Sequence, residues 1–108
     1  MIKAIFYKKS DGTYKGFSVK GHAEFDNSGK DIVCAAVSAL AINTINSIDS
    51  LTDNKFELKE GKSGLLEFKF TSKSDEKGQL LLKSLALGIT EIQKEYSEKY
   101  LQVYFKEV

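Results

Sequence analysis

The sequence predicts an α+β fold: a ββαββαβ sandwich in which a mostly antiparallel five-stranded sheet carries two helices. Two observations predict it. Two pairs of short segments are each joined by a glycine-containing turn, and two longer segments have the length and apolar spacing of helices. Hairpins join antiparallel neighbours, and the helices must bury their apolar sides against the sheet. The 108 residues fit one domain, 1–108.

The first hairpin comes from the N-terminal segment. The stretch "IKAIFYKK" (2–9) predicts a strand, and "SDG" (10–12) predicts its turn, because Asp-Gly tolerates positive φ. The stretch "TYKGFSVKG" (13–21) predicts the return strand, with Phe17 and Val19 on one face. The polar segment "HAEFDNSG" (22–29) predicts a loop.

The first helix is predicted from about Ile32 to Asp49, with Asp31 as its N-cap. Its first three turns are apolar nearly all round, which is typical of a helix inside a structure. The uncharged run from Ile32 to Ile48 has 17 residues and includes polar ones. A membrane span needs about 20 mostly apolar residues. The run therefore predicts a buried core helix, and no membrane is expected among the partners.

The second half repeats the pattern. The stretches "KFELKE" (55–60) and "LLEFKF" (65–70) alternate polar and apolar residues and predict a second hairpin, joined by "GKSG". A second helix is predicted from about Ser74 to Ser97, and "YLQVYFKEV" (100–108) predicts the last strand. The apolar stripe of this second helix is Leu81, Leu85, Ile89, Ile92 and Tyr96.

Charge and cysteine usage exclude several classes of protein. Sixteen basic and fifteen acidic residues are mixed along the chain, which gives no direct nucleic-acid signal. A single cysteine forms no internal disulfide, and no Cys/His cluster has zinc-ligand spacing, so no metal or cofactor is expected. The N-terminus lacks the apolar segment of a signal peptide. We therefore expect a cytoplasmic protein in which Cys34 remains a thiol.

The position of Cys34 predicts a reactive thiol. With Asp31 as N-cap, Cys34 is the third residue of the helix, where the positive end of the helix dipole favours the thiolate. The free amides of the first turn, those of Val33 and Cys34 among them, or the loop before them could hold an oxyanion. Asp31 opposes this, since a carboxylate about 6 Å from the thiolate costs roughly 3 kcal/mol at an effective dielectric of 20. A reactive thiol therefore needs a further positive group.

His22 is the only imidazole in the chain. As an imidazolium beside the thiolate, it would offset the charge of Asp31, which could in turn orient the ring. Asp26 and Glu24 are rival orienting groups. The sequence alone does not establish that His22 reaches Cys34.

Simpler interpretations stand beside each of these roles. A lone cysteine in an apolar helix is more often a small buried hydrophobe. His22 can be an exposed loop residue, and Asp31 can be a helix cap alone. Ser38, one turn beyond the cysteine, can bond to a backbone carbonyl instead of a substrate. Gly21 and Gly29 can serve turns only.

Two stretches, "GHA" (21–23) and "SGKDIVCAAVSAL" (28–40), closely resemble the signature of the ribosomal-processing cysteine proteases, the Prp family. The length of the chain and its ββαββαβ order also resemble that family, so the likeness covers nearly the whole chain. The pattern is specific, because it combines a Gly-His pair, a loop of similar length and Asp-Ile-Val-Cys-Ala-Ala-Val-Ser.

The resemblance implies a bacterial cytoplasmic endopeptidase. Such an enzyme removes a short N-terminal extension from ribosomal protein number twenty-seven of the large subunit, cutting after two phenylalanines. It implies a small α/β sandwich that is usually a homodimer. By carry-over, Cys34 is the nucleophile, His22 the general base, Asp31 a candidate third member and Ser38 a weaker candidate for substrate contact.

The loop before the helix is expected to take part in binding. We hypothesise that residues 23–30 close over the peptide, with Gly29 as a hinge and Phe25 packed on an aromatic substrate side chain. Gly21 is a weaker candidate for substrate contact.

Three other functions compete with the protease. A ribosome-assembly module could grip the same extension without needing a nucleophile. A redox sensor could use Cys34, although the chain has no resolving cysteine. An acyl transferase would need a cofactor site, and "GKSG" (61–64) lacks the partner glycine of a phosphate-binding loop.

Overall fold

The computed structural model describes residues 1–21, 28–62, 64–96 and 98–108, and for residues 28–31 only the backbone. The predicted order ββαββαβ is confirmed. The elements are β1 (Ile2–Lys8), β2 (Tyr14–Lys20), α1 (Ser28–Leu51), β3 (Phe56–Glu60), β4 (Leu66–Phe70), α2 (Glu76–Tyr96) and β5 (Leu101–Glu107).

The five strands form one sheet in the order β3-β4-β2-β1-β5. The β1–β2 and β3–β4 pairs are antiparallel, as their hairpin connections require, and the β2–β4 pair, which joins the two hairpins, is antiparallel too. The β1–β5 pair is parallel, because α2 carries the chain back along the sheet before β5 begins. The prediction of a mostly antiparallel sheet is confirmed.

One face of the sheet forms the core with both helices. Phe6, Phe17 and Phe68 lie side by side on β1, β2 and β4, with ring centroids 6.1 and 5.4 Å apart along the row. The helices cover this face with apolar side chains, and the opposite face of the sheet is left open. The buried residues of the helices are Val33, Val37, Ala41, Thr44, Ile45 and Ile48 of α1, and Gly78, Leu82, Leu85, Ala86 and Ile89 of α2.

The first hairpin turns where the sequence predicts. Gly12 has a φ of +90°, which favours glycine, and its amide donates to the Lys9 carbonyl at 2.9 Å. The Asp11 carboxylate accepts from the Thr13 amide at 2.9 Å, and this bond holds the pKa of Asp11 below its ordinary value.

The start of α2 is fixed by a reciprocal pair of hydrogen bonds. Asn54 donates to the Asp75 carboxylate at 2.8 Å, and its side-chain oxygen accepts from the Asp75 amide at 2.9 Å. The same carboxylate accepts from the Gly78 amide at 2.9 Å, as an N-cap does. A Cβ at Gly78 would meet the Asn54 side chain at 2.8 Å, so a larger residue there would displace Asn54 from these bonds.

The prediction that α1 lies inside the structure is wrong for half of its surface. Ile32 and Ile42 are 53% and 51% exposed, and Ala35 and Ala39 between them are exposed too. Both helices lie on one face of the sheet, so each has a solvent side. Residues 32–51 have the length and composition of a membrane span, yet one side of this segment packs in the core.

Candidate active site

Cys34 lies at the border between the buried and exposed sides of α1. It is half-buried and packs against the hydrophobic core, beside the buried Val33 and Val37. A thiol at such a border can be reached by a substrate while its backbone is held by the core. Position 34 therefore suits a nucleophile better than an interior position would.

The side of α1 that carries Cys34 turns away from α2. Leu40 reaches α2, since a Cβ at Gly88 would meet its Cδ1 at 3.0 Å. Six residues separate Cys34 from Leu40, which places them about 120° apart around a helix with 3.6 residues per turn. The thiol thus faces the flank of α1 that α2 leaves open. Ser38, one turn further on, is exposed.

The predicted helix start is wrong. The helix begins at Ser28, so Asp31 is its fourth residue and not its N-cap, and Cys34 is the seventh residue and not the third. The sequence misled because Gly29 has low helix propensity and Asp31 is a common capping residue. Neither property forbids a further helical turn, and Ser28 is also a residue type that favours helix starts.

The earlier start changes the electrostatics of the thiol. Six residues from Ser28 to Cys34 correspond to about 9 Å along the helix axis. The dipole effect falls off within the first turn, so it contributes little at this position. The amides of Val33 and Cys34 lie beyond the first four, and helix bonding occupies them. They are therefore not the oxyanion donors that the sequence suggested.

Gly21 has a structural role at the end of β2. Its φ is +94°, and a Cβ there would lie 2.2 Å from the Met1 carbonyl oxygen. A side chain would therefore be strained in backbone and in space. Gly21 closes the chain tightly against the start of β1, immediately before His22. The structure explains this glycine without a substrate contact.

Of the other predicted site residues, Gly29 and Asp31 lie in α1, and the rest lie outside the described residues. Gly29 lies in the first turn of α1, so the predicted loop is shorter than residues 23–30 at its C-terminal end. Asp31 is helical in backbone, and its side chain lies outside the description. The remaining predicted residues, His22, Glu24, Phe25 and Asp26, lie outside the described residues.

A groove in the described part of the chain lies away from Cys34. It has a volume of about 880 Å³ and lies between the first hairpin and the start of α2, lined among others by Asp11, Tyr14, Asp75 and Gln79. Gln79 of α2 joins the helix to the first hairpin, since its side chain donates to the Tyr14 carbonyl at 2.7 Å and accepts from the Tyr14 amide at 2.8 Å. These bonds serve the fold. In the part of the chain described, no group of three metal-ligating side chains is assembled.

The fold recurs in solved structures. A crystal structure of a Streptococcus mutans protein has 34% sequence identity, covers 100% of this chain and 99% of that one, and superposes with a TM-score of 0.88. The ribosomal processing protease Prp from Staphylococcus aureus, in complex with a covalently linked product peptide, has 25% identity. It covers 98% of this chain and 100% of that one, also with a TM-score of 0.88.

The shared fold, with a cysteine at the border of its first helix, defines the protein as an enzyme of the cysteine protease class. Residues 1–101 match the family model described as cysteine protease Prp. The ribosomal processing cysteine protease Prp of Bacillus subtilis (strain 168) is 29% identical over 103 residues, 91% of this chain and 92% of that protein. The chain belongs to the Prp family of cysteine proteases, which confirms the resemblance drawn from its sequence.

Proposed function

We propose that this protease removes the N-terminal extension of ribosomal protein number twenty-seven of the large subunit, cutting after a Phe-Phe pair. The observation that supports it most is the half-buried thiol of Cys34 on the fold of a family whose curated members are named for ribosomal processing. A relative bound to a covalently linked product peptide supports a peptide substrate. The work of such an enzyme is cytoplasmic.

In this proposal Cys34 is the nucleophile and His22 its general base. The imidazole takes the thiol proton, and Sγ attacks the scissile carbonyl to form a C–S bond. The imidazolium then gives its proton to the leaving amine as the C–N bond breaks, which leaves an acyl-enzyme. Water, deprotonated by the same imidazole, hydrolyses the thioester and restores the thiol.

Because α1 starts early, activation of the Cys34 thiol depends mainly on His22. Because the thiol lies about 9 Å from the first residue of α1, the dipole cannot supply most of the stabilisation of the thiolate. The positive charge of His22 must supply it, and Asp31 is the proposed orienting residue. The amides of Val33 and Cys34 are bonded within the helix, so we propose that the segment before α1 supplies the oxyanion donors in their place.

Substrate contact is proposed for Ser38 and Phe25. Ser38 is exposed one turn beyond Cys34 on the same side of α1 and can donate to a peptide carbonyl. Phe25 is proposed to pack on a substrate phenylalanine, as part of a segment that closes over the peptide. Equal hydrogen exchange of that segment with and without an extension peptide would contradict closure.

We further propose that residues 1–108 act as one protease domain and as a homodimer. All five strands share one sheet, and both helices share its core. The exposed stripe Ile32, Ala35, Ala39 and Ile42 on α1 offers a surface for a second copy. Ile42→Lys should give a monomer in sedimentation velocity, whereas Leu87→Lys on α2 should not. A native monomer at high concentration would contradict the proposal.

The test of the activity is cleavage of a peptide spanning a Phe-Phe-Ala-Ser junction, followed by mass spectrometry. We expect a single cut after the second phenylalanine, lost in Cys34→Ala and retained in Asn46→Ala, an exposed position further along α1. Binding without cleavage, equal in native protein and Cys34→Ala, would instead favour the non-catalytic ribosome-assembly module. Equal cleavage of a peptide with both phenylalanines changed to alanine would contradict the proposed specificity.

A further inference from the structure

The face of the sheet opposite the helices has a composition unlike the rest of the molecule. The strand register places three rows of side chains on it. The rows, read across the strands, are Lys106, Tyr7, Gly16, Lys69 and Glu57; then Tyr104, Ile5, Ser18, Glu67 and Lys59; then Gln102, Lys3 and Lys20. We call this surface the outer face.

The outer face gathers positive charge that is dispersed in the sequence. Its strand residues include five lysines and two glutamates, a net charge of +3. The other eleven basic and thirteen acidic residues of the chain give −2. Among the described residues, none of the five lysines forms an ion pair. Such a surface attracts a polyanion and repels a second copy of itself.

The two glutamates lie at one side of this face. Glu57 is directly opposite Lys69, and Glu67 is directly opposite Lys59, both across the β3–β4 pair. At the β1–β2–β5 side, Lys3 lies between Lys20 and Gln102 with no acidic neighbour on the face. The positive potential is therefore strongest around β1.

Aromatic rings occupy the middle of the basic region. Tyr104 is 43% exposed and lies opposite Ile5. The Tyr7 hydroxyl lies 3.4 Å from the Ser18 Oγ, and Ser18 is only 7% exposed although its face is open. The half-buried Tyr7 side chain therefore reaches across the sheet surface towards Ser18.

Gly16 lies opposite Tyr7 on this face and has no room for a side chain. A Cβ at Gly16 would meet the Phe68 carbonyl oxygen at 2.2 Å, so no larger residue fits. A groove of about 390 Å³ lies there, lined among others by Tyr7, Lys15, Lys69 and Val108. Its volume falls in the range of ligand sites, about 300–1,000 Å³.

We propose that the outer face binds single-stranded RNA, with bases stacked on Tyr7 and Tyr104 and phosphates on Lys3, Lys20 and Lys106. Open sheets with exposed aromatic rings and flanking cations bind unpaired bases in this way. The choice of RNA over DNA rests on the proposed function, since the substrate proposed there is a ribosomal protein, which assembles on RNA. The surface would hold the enzyme near its substrate while the opposite layer cuts.

The test is fluorescence anisotropy of a labelled twelve-nucleotide uridine RNA between 50 and 300 mM salt. Lys3→Ala/Lys106→Ala should weaken binding at least tenfold and reduce the slope of log Kd against log salt by about 1.4, since each phosphate contact on a single strand contributes about 0.7. The control Lys73→Ala/Lys83→Ala removes two exposed lysines elsewhere and should change Kd less than twofold. Equal loss in both pairs would overturn the proposal.

The rings are tested separately. Tyr104→Ala should weaken binding at least fivefold, whereas Tyr7→Phe, which keeps the ring and loses the hydroxyl, should retain it. The proposal would be overturned if no binding is seen at 1 mM RNA, or if the matching thymidine DNA binds more tightly than the RNA. It would also be overturned if a glutamate peptide binds more tightly than the RNA and its Kd is unchanged in Tyr104→Ala. Cleavage of a free peptide should be unchanged in the lysine pairs. Failure of RNA binding is thereby separated from failure of the protease.

Discussion

The two helices lie side by side on one sheet, yet they differ in how their starts are built. The start of α2 is held by Asp75, Asn54 and Gln79, each of which makes hydrogen bonds to another part of the chain. The first turns of α1 instead lead to a half-buried thiol on a side that α2 leaves open. The start of α2 thus serves the stability of the fold, whereas the start of α1 precedes a reactive group.

The largest expected effect is on α1. His22→Ala should lower kcat/KM for the extension peptide by about 10²–10⁴, the usual contribution of a general base, because the helix dipole acts too far from Cys34 to replace it. The pH profile of kcat/KM should change from a bell to a single rise. Asp31→Asn should cost less than His22→Ala. A His22→Ala variant with native rate and native pH profile would remove the imidazole from the mechanism.

The next largest effect concerns the core side of α2, where a substitution should lower the stability of the fold. Leu82 is fully buried, so Leu82→Ala should lower the free energy of unfolding by about 2–5 kcal/mol in urea denaturation. Leu87, on the same helix, is 64% exposed, and Leu87→Ala should change it by less than about 0.5 kcal/mol. Where Leu82→Ala remains folded, its kcat/KM should stay native. Similar losses in both variants would contradict the assignment of the core.

A smaller effect separates two glycines with similar backbone. Gly12 and Gly21 have φ values of +90° and +94°, but only Gly21 lacks room for a Cβ. Gly12→Ala should cost about 1–2 kcal/mol of unfolding free energy and leave kcat/KM unchanged. Gly21→Ala should cost more, and it should also lower kcat/KM because it displaces the adjacent His22. Identical stability and activity in the two variants would show that the contact with Met1 does not matter.

The smallest effect concerns the cap of α2. Hydrogen bonds from the Asn54 side chain, and then from the Gly78 amide, hold the pKa of Asp75 below its ordinary value of 3.8. A lowered pKa stabilises the fold above that value, and the stabilisation is lost as pH falls through the shifted pKa. The native protein should therefore lose more thermal stability between pH 5 and pH 2 than Asp75→Asn does. Parallel curves would show that the ionised form of Asp75 contributes nothing to stability.

Much of the fold could be predicted from the sequence, because its signals are local. The Asp-Gly turn, the alternation in four strands and the stripe through Leu85 and Ile89 each depend on near neighbours. The start of α1 could not, since Asp31 is a suitable cap in sequence and only the folded chain shows that the helix begins three residues earlier, at Ser28. The exposed side of α1 also escaped prediction, because apolar composition does not reveal which side meets the sheet.

Of the candidate site, the sequence predicted that Cys34 lies on a helix, and the structure adds that it lies at the border of the core. The outer face of lysines and tyrosines could not be found from charge along the chain. Lys3, Lys20 and Lys106 are distant in sequence and meet only through the register of β1, β2 and β5.

The most direct test of the central claim, that α1 carries a thiol activated by His22, is covalent labelling followed by intact-protein mass spectrometry. The probe is a chloromethyl ketone on a peptide ending in Phe-Phe, in which Sγ displaces chloride. We predict one adduct, mapped to Cys34, absent in Cys34→Ala and formed at least 100-fold more slowly in His22→Ala. Labelling of native protein and His22→Ala at equal rates would contradict the account.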